Sequence, residues 1–159
     1  VIKIFTTGGT FDKVYFDAKS DFHIGDTQVP SILEEANVTI DYHVESLLRK
    51  DSLDVTEDDR KMLCDAVVSC TSQYIIMTHG TDTMVDTAKM LAEYTIAEKT
   101  IVLLGAMQPA RMRYTDATFN LGFALAAVQL LPADIYIAMN GQVFHHGNVS
   151  KNRQKGCFE

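Results

Sequence analysis

Val1-Ile2-Lys3-Ile4-Phe5-Thr6-Thr7-Gly8-Gly9-Thr10 is an apolar run that breaks into two glycines and a hydroxyl residue. Such a run reads as a buried strand ending in a tight turn. Glycine has no Cβ, so it takes positive φ and lets a ligand approach the main chain, with Thr7 and Thr10 setting hydroxyls on either side. Taken alone, these residues are most simply a strand-to-loop turn. A second stretch, Thr78-His79-Gly80-Thr81-Asp82-Thr83, follows another apolar run and repeats the design.

Working outward, strand and helix signals alternate. The polar segment Asp12 to Gln28, with Asp17, Lys19, Asp21, Gly25 and Asp26, shows little periodicity. It is too long for an ordinary connection, so residues 11 to 29 are expected to form a lid. Pro30 and Ser31 suit a short helix through Asn37, and the strict alternation from Val38 to Glu45 predicts a strand near a sheet edge. Thr56-Glu57-Asp58-Asp59 is a helix start with a hydroxyl cap, and Leu63, Ala66, Val67 and Cys70 share the face that follows. Tyr74 to Met77 predicts a central parallel strand, Met84, Ala88, Leu91 and Thr95 a helix, and Ile101 to Leu104 a further buried strand closed by Gly105. From Thr115 to about Leu131 the pattern is helical and apolar nearly all round, as in a sandwiched helix or an oligomer contact. Ile135 to Met139 reads as the last clear strand, stopped by Asn140-Gly141. There is no internal repeat or linker. The expected fold is α/β: an open, mostly parallel sheet with helices on both faces, in one domain over residues 1–159.

The net charge of −7, with basic residues only in scattered pairs, argues against nucleic acid as a partner. The longest apolar segment, Leu121 to Leu131, is about half of what spans a bilayer, and no basic-apolar leader is seen. Cys64, Cys70 and Cys157 show neither C-x-x-C nor zinc-finger spacing and read as thiols in a reducing compartment, so a cytoplasmic location without membrane is expected. Neither phosphate-loop nor dinucleotide fingerprints occur, which disfavours nucleotides and leaves no cofactor expected. His145-His146 suggests metal, but no third ligand stands at a recognised spacing.

In an open α/β sheet, ligands sit outside the carboxyl ends of the strands, so Thr6 to Thr10, Thr78 to Asp82 and Gly105 to Pro109 should share one rim. Thr10 and Thr81 offer hydroxyl nucleophiles, which need a base or a cation to act at neutral pH. Tyr15, Asp82 and Lys151 are candidates for that task, and the Gly8-Gly9 amides and the helix start near Asp82 for holding an oxyanion or carboxylate. Each has a plainer alternative: Tyr15 as loop packing, Asp82 as a helix cap, Lys151 as a solvated residue. His79 is read as a positioning group.

Thr7-Gly8-Gly9-Thr10, His79-Gly80-Thr81-Asp82-Thr83, Gly105-Ala106-Met107-Gln108-Pro109 and Val149-Ser150-Lys151, in this order over nearly the whole chain, together resemble the bacterial-type L-asparaginases. The resemblance implies hydrolysis of L-asparagine to L-aspartate and ammonia, with Thr10 as nucleophile, an acyl-enzyme intermediate, and Tyr15 assisting. It implies Thr81, Asp82 and Lys151 as a second catalytic group, with Asp82 also holding the substrate's α-amino group. Ser52 in Asp51-Ser52-Leu53-Asp54 would bind the α-carboxylate, and Gly9, Asp51, Gly80 and Ala106 would line the substrate. Most of the family carries a second domain that donates an acidic residue to a neighbouring subunit's site, and this chain resembles the short, single-domain form or else is a fragment. Many relatives have a glutamine where Leu53 stands. Leucine cannot bond an ammonium, which implies weaker substrate binding. The helix from Thr115 favours a homo-oligomer. Two alternatives remain open: a domain that senses aspartate or asparagine without turnover, and a subunit completed by another chain.

Overall fold

In the computed structural model, which describes residues 1–16, 21–96 and 98–159, the chain begins with β1 (Ile2–Gly8) and a 3-10 turn (Thr10–Asp12). Next come β2 (Lys13–Phe16), β3 (Asp21–Ile24), α1 (Val29–Glu35), β4 (Tyr42–Lys50) and a second 3-10 turn (Ser52–Asp54). Then follow α2 (Glu57–Ser69), β5 (Tyr74–Thr78), α3 (Met84–Ala92), β6 (Thr100–Leu104) and α4 (Ala117–Leu130). The chain continues through β7 (Asp134–Met139), β8 (Gln142–His145), β9 (Lys151–Asn152) and β10 (Cys157–Phe158).

Six strands form one sheet in the order β4-β1-β5-β6-β7-β8. All neighbours are parallel except β7 and β8. The central strands are apolar on both faces because both are covered, as parallel sheets require. Ile2, Ile4, Ile76 and Val102 face one core with Leu33 of α1 and Leu121 and Ala124 of α4. Phe5, Ile75, Met77 and Ile101 face the other with Leu63 and Val67 of α2 and Met84 and Leu91 of α3. The expected α/β sheet with helices on both faces is the observed one.

Local chemistry sets the helix ends. Thr56 accepts from the Asp59 amide at 3.1 Å while Asp59 Oδ2 accepts from the Thr56 amide at 2.9 Å, a complete capping box for α2. In α4, Ala117, Asn120, Leu121, Ala124, Ala127 and Val128 are buried, whereas Phe119 and Leu130 are exposed. That helix therefore buries one face, although its sequence is apolar all round.

Three expectations need correction. The segment Asp12 to Gln28, read as having little periodicity, carries an antiparallel hairpin, with Lys13↔Ile24 and Tyr15↔Phe22 paired, where it is described; Asp17 and Lys19 lie outside the described residues. The edge strand starts at Tyr42 rather than Val38. It does lie at the sheet edge, beside β1. Asn140-Gly141, read as a stop, is a two-residue hairpin turn with φ of 56° and 67°, and β8 returns antiparallel to β7.

Candidate active site

From β1 the chain moves to β4 on one side, then to β5 on the other, so strand order reverses between β1 and β5. Ligands in open α/β sheets bind at such a switch point, in the crevice beyond the carboxyl ends. The turns after β1 and β5 meet there so closely that neither admits a side chain at its glycine. A Cβ on Gly9, whose φ is 70°, would lie 2.6 Å from the Gly80 amide nitrogen. One on Gly80 would lie 2.3 Å from Ser52 Cβ. Thr7 Oγ1 donates to Thr78 O at 2.9 Å and fastens the two strand ends. The third turn adjoins them, since a Cβ on Gly105 would lie 2.4 Å from His79 O.

Lys151 reaches this crevice from the terminal hairpin. β9 and β10 pair with Lys151 opposite Phe158, whose ring is buried in the core beside α2 and α3. The Phe158 amide donates to Asn140 Oδ1 at 2.7 Å. So held, Lys151 Nζ donates to Thr81 Oγ1 and to Asp82 Oδ1, both at 2.7 Å. The ammonium end is largely shielded, with 11% side-chain exposure, which strengthens both interactions. Arg153 Nε stands 3.4 Å from the same Asp82 oxygen. Asp82 is thus no helix cap: Thr83 takes the cap position of α3, without a side-chain bond. Nor is Lys151 a solvated residue.

Thr10 opens the 3-10 turn at the other side of the crevice, half-buried, and among the described residues its hydroxyl has no hydrogen-bond partner. The Gly9 amide, expected to face a ligand, instead donates to Lys50 O at 2.8 Å. Tyr15 is 53% exposed and packs edge-on against Phe22 across the hairpin. No hydrogen bond joins it to Thr10 among the described residues. Lys13 Nζ pairs with Asp51 at 2.8 Å and fixes the hairpin base to the Ser52 turn. Phe11 and Asp12 beneath it are buried, which restricts any lid motion to the residues beyond.

Asp12 and His79 give this region its pH dependence. Burial pushes the Asp12 carboxyl up to about 6, against hydrogen bonds from the Gln28 amide and Thr27. The folded state therefore holds that proton more tightly than the unfolded chain, and this contribution to stability is full below pH 3.8 and lost as pH rises through about 6. His79 has the opposite sign. Burial lowers it from 6.5 to about 4, so its contribution is full above 6.5 and lost as pH falls through about 4. Each is worth about 3 kcal/mol, and between pH 4 and 6 they oppose one another. Asp12→Asn keeps the acceptor for Gln28 and removes one of the two. Its urea midpoint should rise with pH more steeply than the parent's over that range; parallel profiles would refute this assignment.

The Asparaginase, N-terminal family model matches residues 1–157. The chain belongs to the asparaginase family. It is 30% identical over 160 residues to the probable L-asparaginase periplasmic of Haemophilus influenzae, covering 94% of this chain and 46% of that protein. It is 30% identical over 130 residues to the glutaminase-asparaginase of Acinetobacter glutaminasificans, covering 77% of this chain and 38% of that protein. The solved structure of a probable cytoplasmic L-asparaginase from Campylobacter jejuni matches with a TM-score of 0.84 and 25% identity, over 99% of this chain and 52% of that one. The chain thus spans about half the length, or less, of these relatives.

Within this asparaginase fold, Ser52 has a different setting from the one expected. The residue is 2% exposed, and its hydroxyl donates to Gly80 O at 2.9 Å and accepts from the Thr83 amide at 2.7 Å. Thr83 Oγ1 in turn donates to Ser52 O at 2.8 Å. The hydroxyl is fully engaged in joining the two turns, and a substrate carboxylate would have to displace Gly80 O. Leu53 beside it is exposed. Ala106, within the third turn, is buried.

Three residues around the asparaginase crevice go beyond the sequence reading. Asp116 accepts from the Met107 amide at 2.9 Å and the Gln108 amide at 3.0 Å and so shapes the third turn. Asn120 Nδ2 donates to Gly105 O at 2.9 Å and to Asp116 at 3.0 Å. A buried amide inside an apolar helix was the available signal for Asn120. His79 was read only as a positioning group, and its bonds are now explicit. Gly80 O can only accept, so Nδ1 carries the proton of that 2.8 Å bond and Nε2 accepts from the Thr87 hydroxyl at 2.8 Å. A ring kept neutral in this way holds the Gly80 turn against α3.

Proposed function

We propose that the chain is an amidohydrolase that converts L-asparagine to L-aspartate and ammonia, residues 1–159 acting as one catalytic domain. The observation that carries this reading is the Thr81-Lys151-Asp82 group, joined by two 2.7 Å bonds at the switch point, with the unpartnered Thr10 hydroxyl across from it. In the scheme we favour, Thr10 Oγ attacks the side-chain amide carbon and its proton passes to the amide nitrogen, which leaves as ammonia. Water then hydrolyses the resulting ester, restores the proton to Thr10 and releases aspartate.

Thr81 directs that water. The Lys151 ammonium bonded to Thr81 Oγ1 favours negative charge building on the hydroxyl oxygen, and leaves the hydroxyl proton free to move. Asp82 Oδ1 is held by Lys151 and approached by Arg153, so Oδ2 is the oxygen we assign to the substrate's α-ammonium. Tyr15 enters when a substrate draws the hairpin inward. Gly9, Gly80 and Ala106 form the crevice floor, while Ser52 and Asp51 brace it through Gly80 and Lys13.

We further place the protein in the cytoplasm, supported by three thiols without a disulfide among the described residues, and as a homo-oligomer, supported by the exposed Phe119 and Leu130 on α4. No helix among the described residues is long and apolar enough to cross a membrane. The test is ammonia release from L-asparagine and L-glutamine by the purified chain, with its sedimentation followed in the same preparation. Turnover of asparagine by a species larger than a monomer is expected. Aspartate binding without ammonia release would make the domain a sensor, and release only on adding a second protein would make it a subunit.

A further inference from the structure

We propose that Asp134, His145 and His146 form a site for one divalent transition-metal ion of the zinc class, at the end of the sheet opposite the candidate active site. The hairpin turn at Asn140-Gly141 sets the register Tyr136↔His145 between β7 and β8, and the His146 amide donates to Ile135 O at 3.1 Å. Both histidines are thereby carried back to the first residue of β7, which is Asp134. This is the third ligand that sequence spacing hides.

His145 Nε2 lies 2.8 Å from Asp134 Oδ2 and His146 Nε2 lies 3.3 Å from Asp134 Oδ1. One ligand atom from each of the three side chains lies within 4.8 Å of the other two. On tetrahedral zinc, with nitrogen and oxygen about 2.0–2.2 Å from the ion, neighbouring ligand atoms stand about 3.3 Å apart. Each imidazole nitrogen is already near that spacing from a carboxylate oxygen of Asp134. Two imidazoles and a carboxylate are a borderline donor set that suits zinc and its neighbours rather than magnesium or calcium. Side-chain exposures of 40% for Asp134, 47% for His145 and 22% for His146 leave an ion a way in and a position for water. β7 has six residues between this end and the crevice end, about 20 Å at strand rise, so the two sites are separate.

The hydrogen bonds also fix what must change when an ion enters. His145 Nδ1 accepts from the Gly147 amide at 3.2 Å, so in the empty trio Nε2 carries the proton and donates it to Asp134. An ion on Nε2 requires the other tautomer, with the proton on Nδ1, and that breaks the Gly147 bond. The ion would take over the joining of β7 to the sheet-edge strand β8, and binding only the folded chain would stabilise it.

The experiment is titration of the untagged, purified chain with Zn2+ alone, followed by calorimetry, thermal unfolding and amide NMR. One ion per chain, a raised Tm and a moved Gly147 amide signal are expected. His146→Ala and Asp134→Asn should each weaken binding by roughly tenfold or more and shrink the Tm rise accordingly. Asp134→Asn keeps an oxygen acceptor for one ring and offers an amide donor to the other, so it preserves the shape of the trio while removing the charge. Zn2+ binding that survives both substitutions, or no binding at millimolar Zn2+, would overturn the proposal and leave the trio as a hydrogen-bonded staple of the hairpin.

Discussion

Thr81→Ala and Lys151→Met should each lower the rate of asparagine hydrolysis by about 10²–10⁴-fold, and the two together by no more than either alone. The two side chains share one 2.7 Å hydrogen bond. Without the lysine the threonine hydroxyl lacks the cation that favours charge on its oxygen. Without the threonine, the lysine keeps its bond to Asp82 but has no hydroxyl to polarise. Groups acting as a unit lose their whole effect when one is removed. Thr10→Ala should fall at least as far, but should combine differently. In the proposed scheme it removes the covalent intermediate itself, so any burst of ammonia disappears with it. Rates of ammonia release from the single and double variants test this directly. Losses that multiply in the Thr81→Ala, Lys151→Met double variant would show that the residues act independently, and a near-normal Lys151→Met would remove the lysine from the chemistry.

Gly80→Ala should destabilise the fold by about 3 kcal/mol, lowering Tm by roughly 10 °C in a domain of this size. The new Cβ would stand 2.3 Å from Ser52 Cβ and 2.8 Å from Ser52 Cα and N. Those are backbone or backbone-proximal atoms, so no side-chain rotation relieves the clash. The Ser52 turn must shift, and with it the bonds from Ser52 to Gly80 O and Thr83. Gly122→Ala is the control. Nothing lies within 4 Å of its Cβ position on the exposed side of α4, and alanine should gain up to about 1 kcal/mol there from helix propensity. Thermal unfolding compares the two, and equal Tm values would mean that the turns are far looser than their spacing indicates.

The layered α/β fold was legible because buried parallel strands leave uninterrupted apolar runs, and Tyr74 to Met77 and Ile101 to Leu104 could hardly be read otherwise. The hairpin of β2 and β3 was hidden because Tyr15, Asp21, Phe22 and His23 are exposed, so burial imposed no alternation on them. The strand after Val38 began four residues late for a related reason: alternation marks an extended chain, but pairing with β1 starts only at Tyr42. At the site, the threonine turns announced themselves through their glycines. Lys151 could be named but not placed, since its position depends on the pairing with Phe158 and the anchor at Asn140, which residue spacing does not reveal. The Gly9 amide was assigned to a ligand because a sequence shows which groups exist, not which are already bonded to the fold. Asp134 was invisible beside His145-His146 until the register of β7 and β8 was known.

The position of β1 carries a kinetic consequence. Ile2 pairs with Tyr42 on one side and Tyr74 on the other, so the strand that leads into Gly9 and Thr10 settles only by closing two long loops. Such non-local pairing is a slow step in folding, and segments awaiting it expose strand edges to other chains. The charged residues of β4, among them Glu45, Arg49 and Lys50, lie where a stray chain would add to the sheet and make that addition unfavourable. The same strand that brings its threonine to the crevice therefore sets how long a new chain stays vulnerable to aggregation before it acquires a site.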